Sequence, residues 1–332
     1  MPILDAPDVR FAVELVRQAA LLTRRIQRSV AVEGLVKSDL SPVTMADYAV
    51  QAVAGRALAE RFPGEPLVGE ESSENLRTPA GAAMLEAVTR FAGSLTGGAS
   101  PDEACAWIDL GTSDPTACFW TLDPLDGTKG YLRGGQYAVA LARIEHGQVT
   151  LGVLGCPSLA SESGSPSGNL GTVAVAVRGQ GAWCMSLDAP DEPRPMQVSD
   201  CADPARARLM RSFESGHTNI GQIDAIARAL GVQAEPVRMD SQAKYAVLAG
   251  GGAELLFRLL SPKALEYKEK IWDQAAGSII LEEAGGRVTD LEGRPLDFTA
   301  GRTLANNTGL LASNNRLHEP ALRAIAEVCG IS

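Results

Sequence analysis

The sequence lacks the features that mark several common classes of protein. Its longest apolar runs, such as 246–249 and 279–281, fall far below the roughly 18 to 20 residues that a membrane span needs. No basic segment followed by an apolar one stands at the N-terminus, so no secretory signal is recognised. We therefore expect a soluble, cytoplasmic protein that does not bind membranes, and an organellar location after removal of a transit peptide stays open.

Three further absences concern cofactors and partners. The six cysteines form no CxxC pair and are too sparse for a disulfide scaffold. No GxGxxG motif follows an early predicted strand, which argues against a Rossmann-type oxidoreductase. Positive charge is also in deficit, because 30 Lys and Arg stand against 40 Asp and Glu for a net charge of −10. This balance argues against binding to nucleic acid, and an acidic protein that handles anions needs local positive charge, which metal ions can supply.

The order of predicted elements favours two domains of different character. A chain of 332 residues is longer than one ordinary domain core. Helical spacing of apolar residues predicts helices at 8–31, 44–61, 219–230, 241–250, 273–284 and 317–328. Short β-rich runs predict strands at 67–68, 119–122, 138–144, 149–153, 173–177, 208–211, 236–239, 253–260, 287–289 and 310–312. We expect an α+β domain with an antiparallel sheet over residues 1–200 and an α/β domain over residues 201–332.

The densest chemical signal is the segment WTLDPLDGTKGY at 120–131. A strand that ends at Asp123 and turns through Pro124 can aim the carboxylates of Asp123 and Asp126, and the carbonyl between them, at one point. Gly127 and Thr128 would then open the next element with free N–H groups, an arrangement that binds phosphate. Asp, Pro and Gly are also the usual residues of solvated turns, so this motif alone leaves both interpretations open.

Three other acidic segments favour the functional interpretation. Glu70 and Glu71 follow a predicted strand, where successive side chains point to opposite faces, so we expect only one of them to face a common site. Asp273 stands where a helical pattern begins and could instead be an N-cap. Asp47 lies in the first turns of the second helix, where the helix dipole also favours an acidic residue.

These motifs together resemble a known family. The set consists of DxSPVTxxDxxxQ at 39–51, VGEES at 68–72, WxLDPxDGTKGxLRG at 120–134, SQAKY at 241–245 and EKIWDxAAGxxxxxEAGG at 269–286. It is similar to the lithium-sensitive, inositol monophosphatase-like phosphatases and, within them, to the 3'(2'),5'-bisphosphate nucleotidases. The resemblance runs in order along almost the whole chain. It implies a sugar-phosphatase fold with αβαβα layers.

The resemblance also implies a metal-dependent mechanism. Relatives with these motifs bind two or three Mg²⁺ ions and are inhibited by Li⁺. The matching metal ligands are the carboxylates of Glu70, Asp123, Asp126 and Asp273 and the carbonyl of Leu125. Thr128 and Asp47 match the pair through which a metal-bound water is deprotonated. Carboxylates and substrate phosphates are the ligands that Mg²⁺ prefers.

The implied substrate is a small phosphorylated nucleotide. By the same resemblance, His217 packs against adenine, while Ser241, Lys244 and Arg258 surround the nucleotide and its 5'-phosphate, and Gly127 and Thr128 contact the substrate. An exposed Ser-x-x-Lys that opens a helix after a strand suits an anion site. The expected reaction converts adenosine 3',5'-bisphosphate to AMP and phosphate, with the 2'-phosphate isomer and 3'-phosphoadenosine 5'-phosphosulfate as further candidates, in sulfur assimilation.

Two alternatives stay open at this point. The same metal core serves inositol polyphosphate 1-phosphatases and inositol monophosphatases. A catalytically silent nucleotide-binding regulator on the same fold is a second alternative, although no carboxylate of the metal set is missing. We expect a monomer, with an oligomer left open.

Overall fold

A computed structural model describes residues 5–33, 42–160, 170–189, 192–213, 219–259 and 267–330. Its helices are α1 (Pro7–Glu33), α2 (Pro42–Arg61), α3 (Ala82–Thr96), α4 (Pro101–Asp109), α5 (Thr128–Leu132), α6 (Ile220–Leu230), α7 (Ala243–Ala249), α8 (Ala275–Glu283) and α9 (His318–Cys329). Its strands are β1 (Leu67–Gly69), β2 (Cys118–Asp126), β3 (Ala138–Glu145), β4 (Gln148–Ala160), β5 (Leu170–Val177), β6 (Ala182–Ser186), β7 (Arg194–Pro195), β8 (Leu209–Arg211), β9 (Val237–Arg238), β10 (Leu255–Arg258), β11 (Arg287–Thr289) and β12 (Leu310–Ser313).

The strands form two sheets. The first sheet has the order β1-β2-β3-β4-β5-β6-β7, parallel between β1 and β2 and antiparallel elsewhere. His146 and Gly147 both have positive φ at the turn between β3 and β4, which is the backbone that a tight hairpin requires. The second sheet has the order β11-β12-β10-β8-β9, with β10, β8 and β9 parallel to one another.

Along the strands of the first sheet, successive side chains alternate between two hydrophobic cores. Val139 and Leu141 on β3 are buried on one side with the apolar residues of α1 and α2. Ala138, Ala140 and Ala142 on the same strand are buried on the other side with the residues of α7 and α8. Because successive side chains of a strand point to opposite faces, the single strand β3 contributes side chains to both cores.

The second sheet repeats this arrangement. Met210 and Leu256 face the same core as α7 and α8, whereas Leu209 and Phe257 pack with α6 and α9 on the far side. The layers are therefore α1 with α2, the first sheet, α7 with α8, the second sheet, and α6 with α9. The predicted αβαβα layering is confirmed.

The middle helices α7 and α8 belong to the C-terminal part of the sequence but cover the first sheet. Their packing is close, because a Cβ atom added at Gly152 on β4 would lie 2.4 Å from Cγ2 of Ile279 on α8. The division into residues 1–200 and 201–332 thus stays a prediction, since the two parts share one core.

Candidate active site

The segment Asp123–Thr128 forms the end of β2, an irregular turn and the start of α5. The pairing of β2 with β3 changes register between Asp123 and Asp126. Within this irregularity the N–H of Leu125 donates to Oδ1 of Asp123 at 3.0 Å. Gly127 has φ of +94°, and a Cβ atom there would lie 2.8 Å from Cβ of Ser241, so only glycine fits this approach without strain. The local sequence therefore places two aspartates next to the second half of the chain.

An acidic cluster surrounds this turn. We use the name for the carboxylates of Asp47, Glu70, Asp123, Asp126 and Asp273. Burial, followed by the charges of Glu70, Asp126 and Asp273, raises the pKa of Asp123 well above its usual value. Burial and the charge of Asp126 likewise raise the pKa of Asp273, and burial together with Glu71 and Glu70 raises that of Asp47. Carboxylates from four distant segments thus share one electrostatic neighbourhood.

Glu70 connects the strand β1 to this cluster. Protein atoms crowd its carboxylate although part of the residue is open to solvent. Burial, then the charges of Glu71 and Asp126, raise the pKa of Glu70 to about 7, while Lys270 and a hydrogen bond to Asp123 oppose the shift. The charge of Glu71 also contributes to the raised pKa of Asp47, and the expectation that only one of the two glutamates faces the site stays a prediction.

Gln51, which was not predicted as a site residue, holds the segment that carries both glutamates. Its Oε1 accepts from the N–H of Glu71 at 2.9 Å, and its Nε2 donates to the carbonyls of Glu71 at 2.6 Å and Ile108 at 2.8 Å. Gln51 is fully buried. The glutamine at the end of the DxxxQ motif was the available signal for this contact.

A cavity of about 460 Å³ opens beside the acidic cluster. It lies past the carboxyl ends of the parallel strands β8, β9 and β10, where open α/β sheets commonly bind ligands. Its lining includes seven residues of the sequence prediction, namely Asp126, Gly127, Thr128, Ser241, Lys244, Arg258 and Asp273. The remainder of the lining includes apolar residues such as Ile223, cationic residues such as Arg238, neutral polar residues and the acidic Asp240.

Cations line the cavity next to Asp126. The Nζ atom of Lys244 donates to Oγ of Ser212 at 2.9 Å. Burial and the nearby Arg258 lower the pKa of Lys244 to about 8, and the charge of Asp126 opposes this shift. Nε of Arg258 donates to Oε1 of Glu269 at 2.7 Å, an almost fully buried carboxylate that orients the guanidinium. The cavity can therefore bind an anion at one end.

Three contacts join the segment from Asp126 to Arg133 to the C-terminal part of the chain. The N–H of Gln242 donates to Oδ2 of Asp126. Arg133, which follows α5, pairs with Asp240, two residues after the strand β9, and its guanidinium lies 5.6 Å from the ring centroid of Phe213. Neither Asp240 nor Phe213 was predicted as a site residue, although Asp240 directly precedes the SQAKY motif.

The chemistry of the donor set fits hard cations. All the side-chain ligands that the acidic cluster offers to a metal are carboxylate oxygens. These carboxylates repel one another, and bound divalent cations would reduce that repulsion. Among the residues that the structure describes, no three Asp, Glu, His or Cys side chains are close enough to hold one ion as a preformed set. Mg²⁺ sites often use one or two carboxylates per ion and complete the shell with water and phosphate.

The predicted residues have the following positions. The acidic cluster contains Asp47, Glu70, Asp123, Asp126 and Asp273, and the cavity contains Gly127, Thr128, Ser241, Lys244 and Arg258. His217 lies outside the described residues, as does the start of the DxSPVT motif. Ser241 is buried at 8% exposure, so the expectation of an exposed Ser-x-x-Lys is wrong. The carbonyl ligand at Leu125 and the pairing of Asp47 with Thr128 stay predictions.

Comparison with known sequences identifies the family. The model of the inositol monophosphatase family matches residues 5–328. The chain belongs to the inositol monophosphatase family. Among curated members, a Schizosaccharomyces pombe protein named 3'(2'),5'-bisphosphate nucleotidase is 38% identical over 97% of this chain and 95% of its own length. A protein of the same name from Oryza sativa is 39% identical over 97% of this chain and 94% of its own length.

Solved structures agree with this family fold. The Thermotoga maritima IMPase has a TM-score of 0.64 at 19% identity, covering 97% of this chain and 98% of its own. Mycobacterium tuberculosis SuhB has a TM-score of 0.61 at 19% identity, covering 96% and 95% of the two chains. No helix within the described ranges is both long and apolar enough to cross a membrane.

Proposed function

We propose that this chain is a Mg²⁺-dependent 3'(2'),5'-bisphosphate nucleotidase that hydrolyses adenosine 3',5'-bisphosphate to AMP and phosphate. One observation carries the proposal, namely that Asp126 and Asp273 belong both to the acidic cluster and to the lining of the cavity. A cation-binding end and an anion-binding end thus meet at these two residues. A substrate with two phosphates can place its scissile phosphate at the first end and its other phosphate at the second.

The acidic cluster would hold the metal ions. Glu70, Asp123, Asp126 and Asp273 supply carboxylates, and Leu125 supplies a backbone carbonyl. Two or three bound Mg²⁺ ions would provide charge neutralisation at the scissile phosphate and at the leaving oxygen. The carboxylates would remain ionised beside such ions, because positive charge opposes the rise in pKa that burial and mutual repulsion cause.

Asp47 and Thr128 would handle the proton of the attacking water. Asp47 lies on α2 within the reach of the charges of Glu70 and Glu71, and Thr128 opens α5 at the cavity. We propose that the hydroxyl of Thr128 orients the water and passes its proton to Asp47. Loss of a general base typically lowers kcat by about 10² to 10⁴. An Asp47→Asn variant with native melting temperature and undiminished kcat would refute this role.

Lys244, Arg258 and Ser241 would bind the phosphate that is not cleaved. Lys244 and Arg258 are held in place by Ser212 and Glu269, so little side-chain freedom is lost when an anion binds. Gly127 and Thr128 also line the cavity and would contact the substrate. We also propose His217 as a contact of the base, from the family resemblance alone.

A phosphate-release assay separates the proposal from its alternatives. Adenosine 3',5'-bisphosphate, its 2',5'-isomer, 3'-phosphoadenosine 5'-phosphosulfate and inositol 1,4-bisphosphate are compared with Mg²⁺, and again with Li⁺ added. We expect the nucleotides to have the higher kcat/KM by at least an order of magnitude, and Li⁺ to suppress the activity. Preference for the inositol compound would favour an inositol phosphatase. Nucleotide binding without turnover would favour a catalytically silent regulator.

We further propose that the enzyme is a cytoplasmic monomer.

A further inference from the structure

Arg302 joins two parts of the active site that are far apart in sequence. Its guanidinium donates to three backbone carbonyls, those of Gly69, of Gly111 at 3.3 Å and of Ser113 at 2.8 Å. Gly69 is the last residue of β1 and directly precedes Glu70. The segment of Gly111 runs beside it, because the N–H of Gly69 donates to the carbonyl of Gly111 at 2.8 Å. Arg302 thus fixes the end of β1 and the neighbouring segment in one position.

The backbone around Arg302 holds the segment that leads to Asp273. The carbonyl of Arg302 accepts from the N–H of Ile271 at 3.2 Å, and Lys270 and Thr303 form an antiparallel bridge. The guanidinium also lies 5.1 Å from the ring centroid of Trp272, the residue directly before Asp273. One residue therefore contacts both the segment of Glu70 and the segment of Asp273.

The shape of the arginine side chain suits this task. A planar guanidinium presents five N–H donors in a fixed fork, whereas a lysine ammonium is a point charge on a flexible stem. The charge alone would act in the wrong direction, because a cation near an acidic cluster disfavours the binding of divalent metal. The three carbonyl contacts and the packed indole ring instead indicate a geometrical role.

We propose that Arg302 is a positioning residue that sets the spacing of Glu70 and Asp273 and thereby the affinity of the acidic cluster for divalent cations. The inference rests on the proposed function, since it assumes that these carboxylates bind metal. It extends that function by assigning a residue outside the ligand set. Partners that orient metal ligands typically change metal affinity by about 10- to 100-fold when they are mutated.

Calorimetric titration of Mg²⁺ into the metal-free, substrate-free protein tests the inference. The variants are Arg302→Lys, which keeps the charge, and Arg302→Gln, which removes it. Arg287→Gln is the matched control, because it removes an arginine from an exposed ion pair with Glu319 in the same half of the chain. We expect both Arg302 variants to raise the Kd for Mg²⁺ by about 10- to 100-fold and the control to leave it unchanged.

The alternatives give different results. If Arg302 acted through its charge, Arg302→Gln would bind Mg²⁺ more tightly and Arg302→Lys would match the wild type. If it served stability alone, the melting temperature in EDTA would fall while the Kd of folded protein stayed unchanged. Either result overturns the inference. Absence of Mg²⁺ uptake by the wild type would instead overturn the proposed metal dependence. Recovery of wild-type kcat by Arg302→Lys at saturating Mg²⁺ would support the positioning role.

Discussion

Lys244 should give substrate binding a distinctive pH dependence. Its ammonium lines the cavity in the position proposed for the phosphate that is not cleaved. Burial and the neighbouring Arg258 lower its pKa to about 8, so the group loses its charge within the range in which an enzyme assay is practical. The proposal therefore predicts weaker binding of doubly phosphorylated substrates as the pH rises through 8.

The size of the effect follows from the protonated fraction. With a pKa near 8, about 90% of Lys244 is charged at pH 7 and about 10% at pH 9. If the neutral amine does not attract phosphate, KM rises about tenfold for each pH unit above 8, equivalent to about 1.4 kcal/mol of binding free energy. A bound phosphate favours the ammonium, so the step in KM should lie at or above pH 8.

Steady-state phosphate release between pH 6.5 and 9.5 provides the measurement. Lys244→Arg should remove the step, because an arginine stays charged throughout this range. Adenosine 3'-monophosphate is the matched control substrate, since it lacks the 5'-phosphate and should show no step that depends on Lys244. Parallel KM profiles for the wild type and Lys244→Arg would refute the assignment of this lysine to the second phosphate.

Three further predictions concern stability and the geometry of the site. Burial and Arg287 lower the pKa of His318 to about 4, so on acidification the unfolded chain takes up a proton here before the folded chain does. The contribution of His318 to the free energy of unfolding should therefore fall by about 2 to 3 kcal/mol between pH 6.5 and 4. Urea titrations should show a shallower fall for His318→Asn, and identical slopes would count against this reading. Gly127→Ala would place a methyl group against Ser241 at a positive φ, and we expect kcat/KM to fall at least tenfold in a folded protein; unchanged kinetics would contradict the close approach. Gln51→Leu leaves the N–H of Glu71 and two carbonyls without partners, so we expect a loss of about 2 to 4 kcal/mol in stability and weaker Mg²⁺ binding, and a variant with a native urea midpoint would show that the loop does not need this glutamine.

The elements with strong periodicity could be predicted from the sequence. The predicted helix at 8–31 corresponds to Pro7–Glu33, and the predicted strand at 138–144 corresponds to Ala138–Glu145. Helices α3 and α4 were not predicted from the sequence. The segment 73–118, which contains them, carries little motif content. A local signal existed for α4, where Ser100 and Glu103 form a capping box around Pro101.

The candidate site could be predicted in its residues but not in its supports. The DPLDGT turn brings its ligands together within a few positions, so the sequence displays it directly. Gln51 and Arg302 act through backbone atoms that lie 57 and 233 positions away in the chain. Backbone carbonyls carry no residue identity, so no pattern of side chains reveals such a partner. The predicted start of the last site helix was also early, because Asp273 precedes α8 by two residues.

The close packing at Gly152 makes the reaction sensitive to changes well outside the cavity. Any side chain there would contact Ile279 and the carbonyl of Ala276 on α8. Asp273 lies two residues before this helix. The helix has no room to retreat, because the second sheet packs behind it. In a genetic screen for inactive alleles, folded but inactive variants should therefore also arise at this glycine, which belongs neither to the acidic cluster nor to the lining of the cavity.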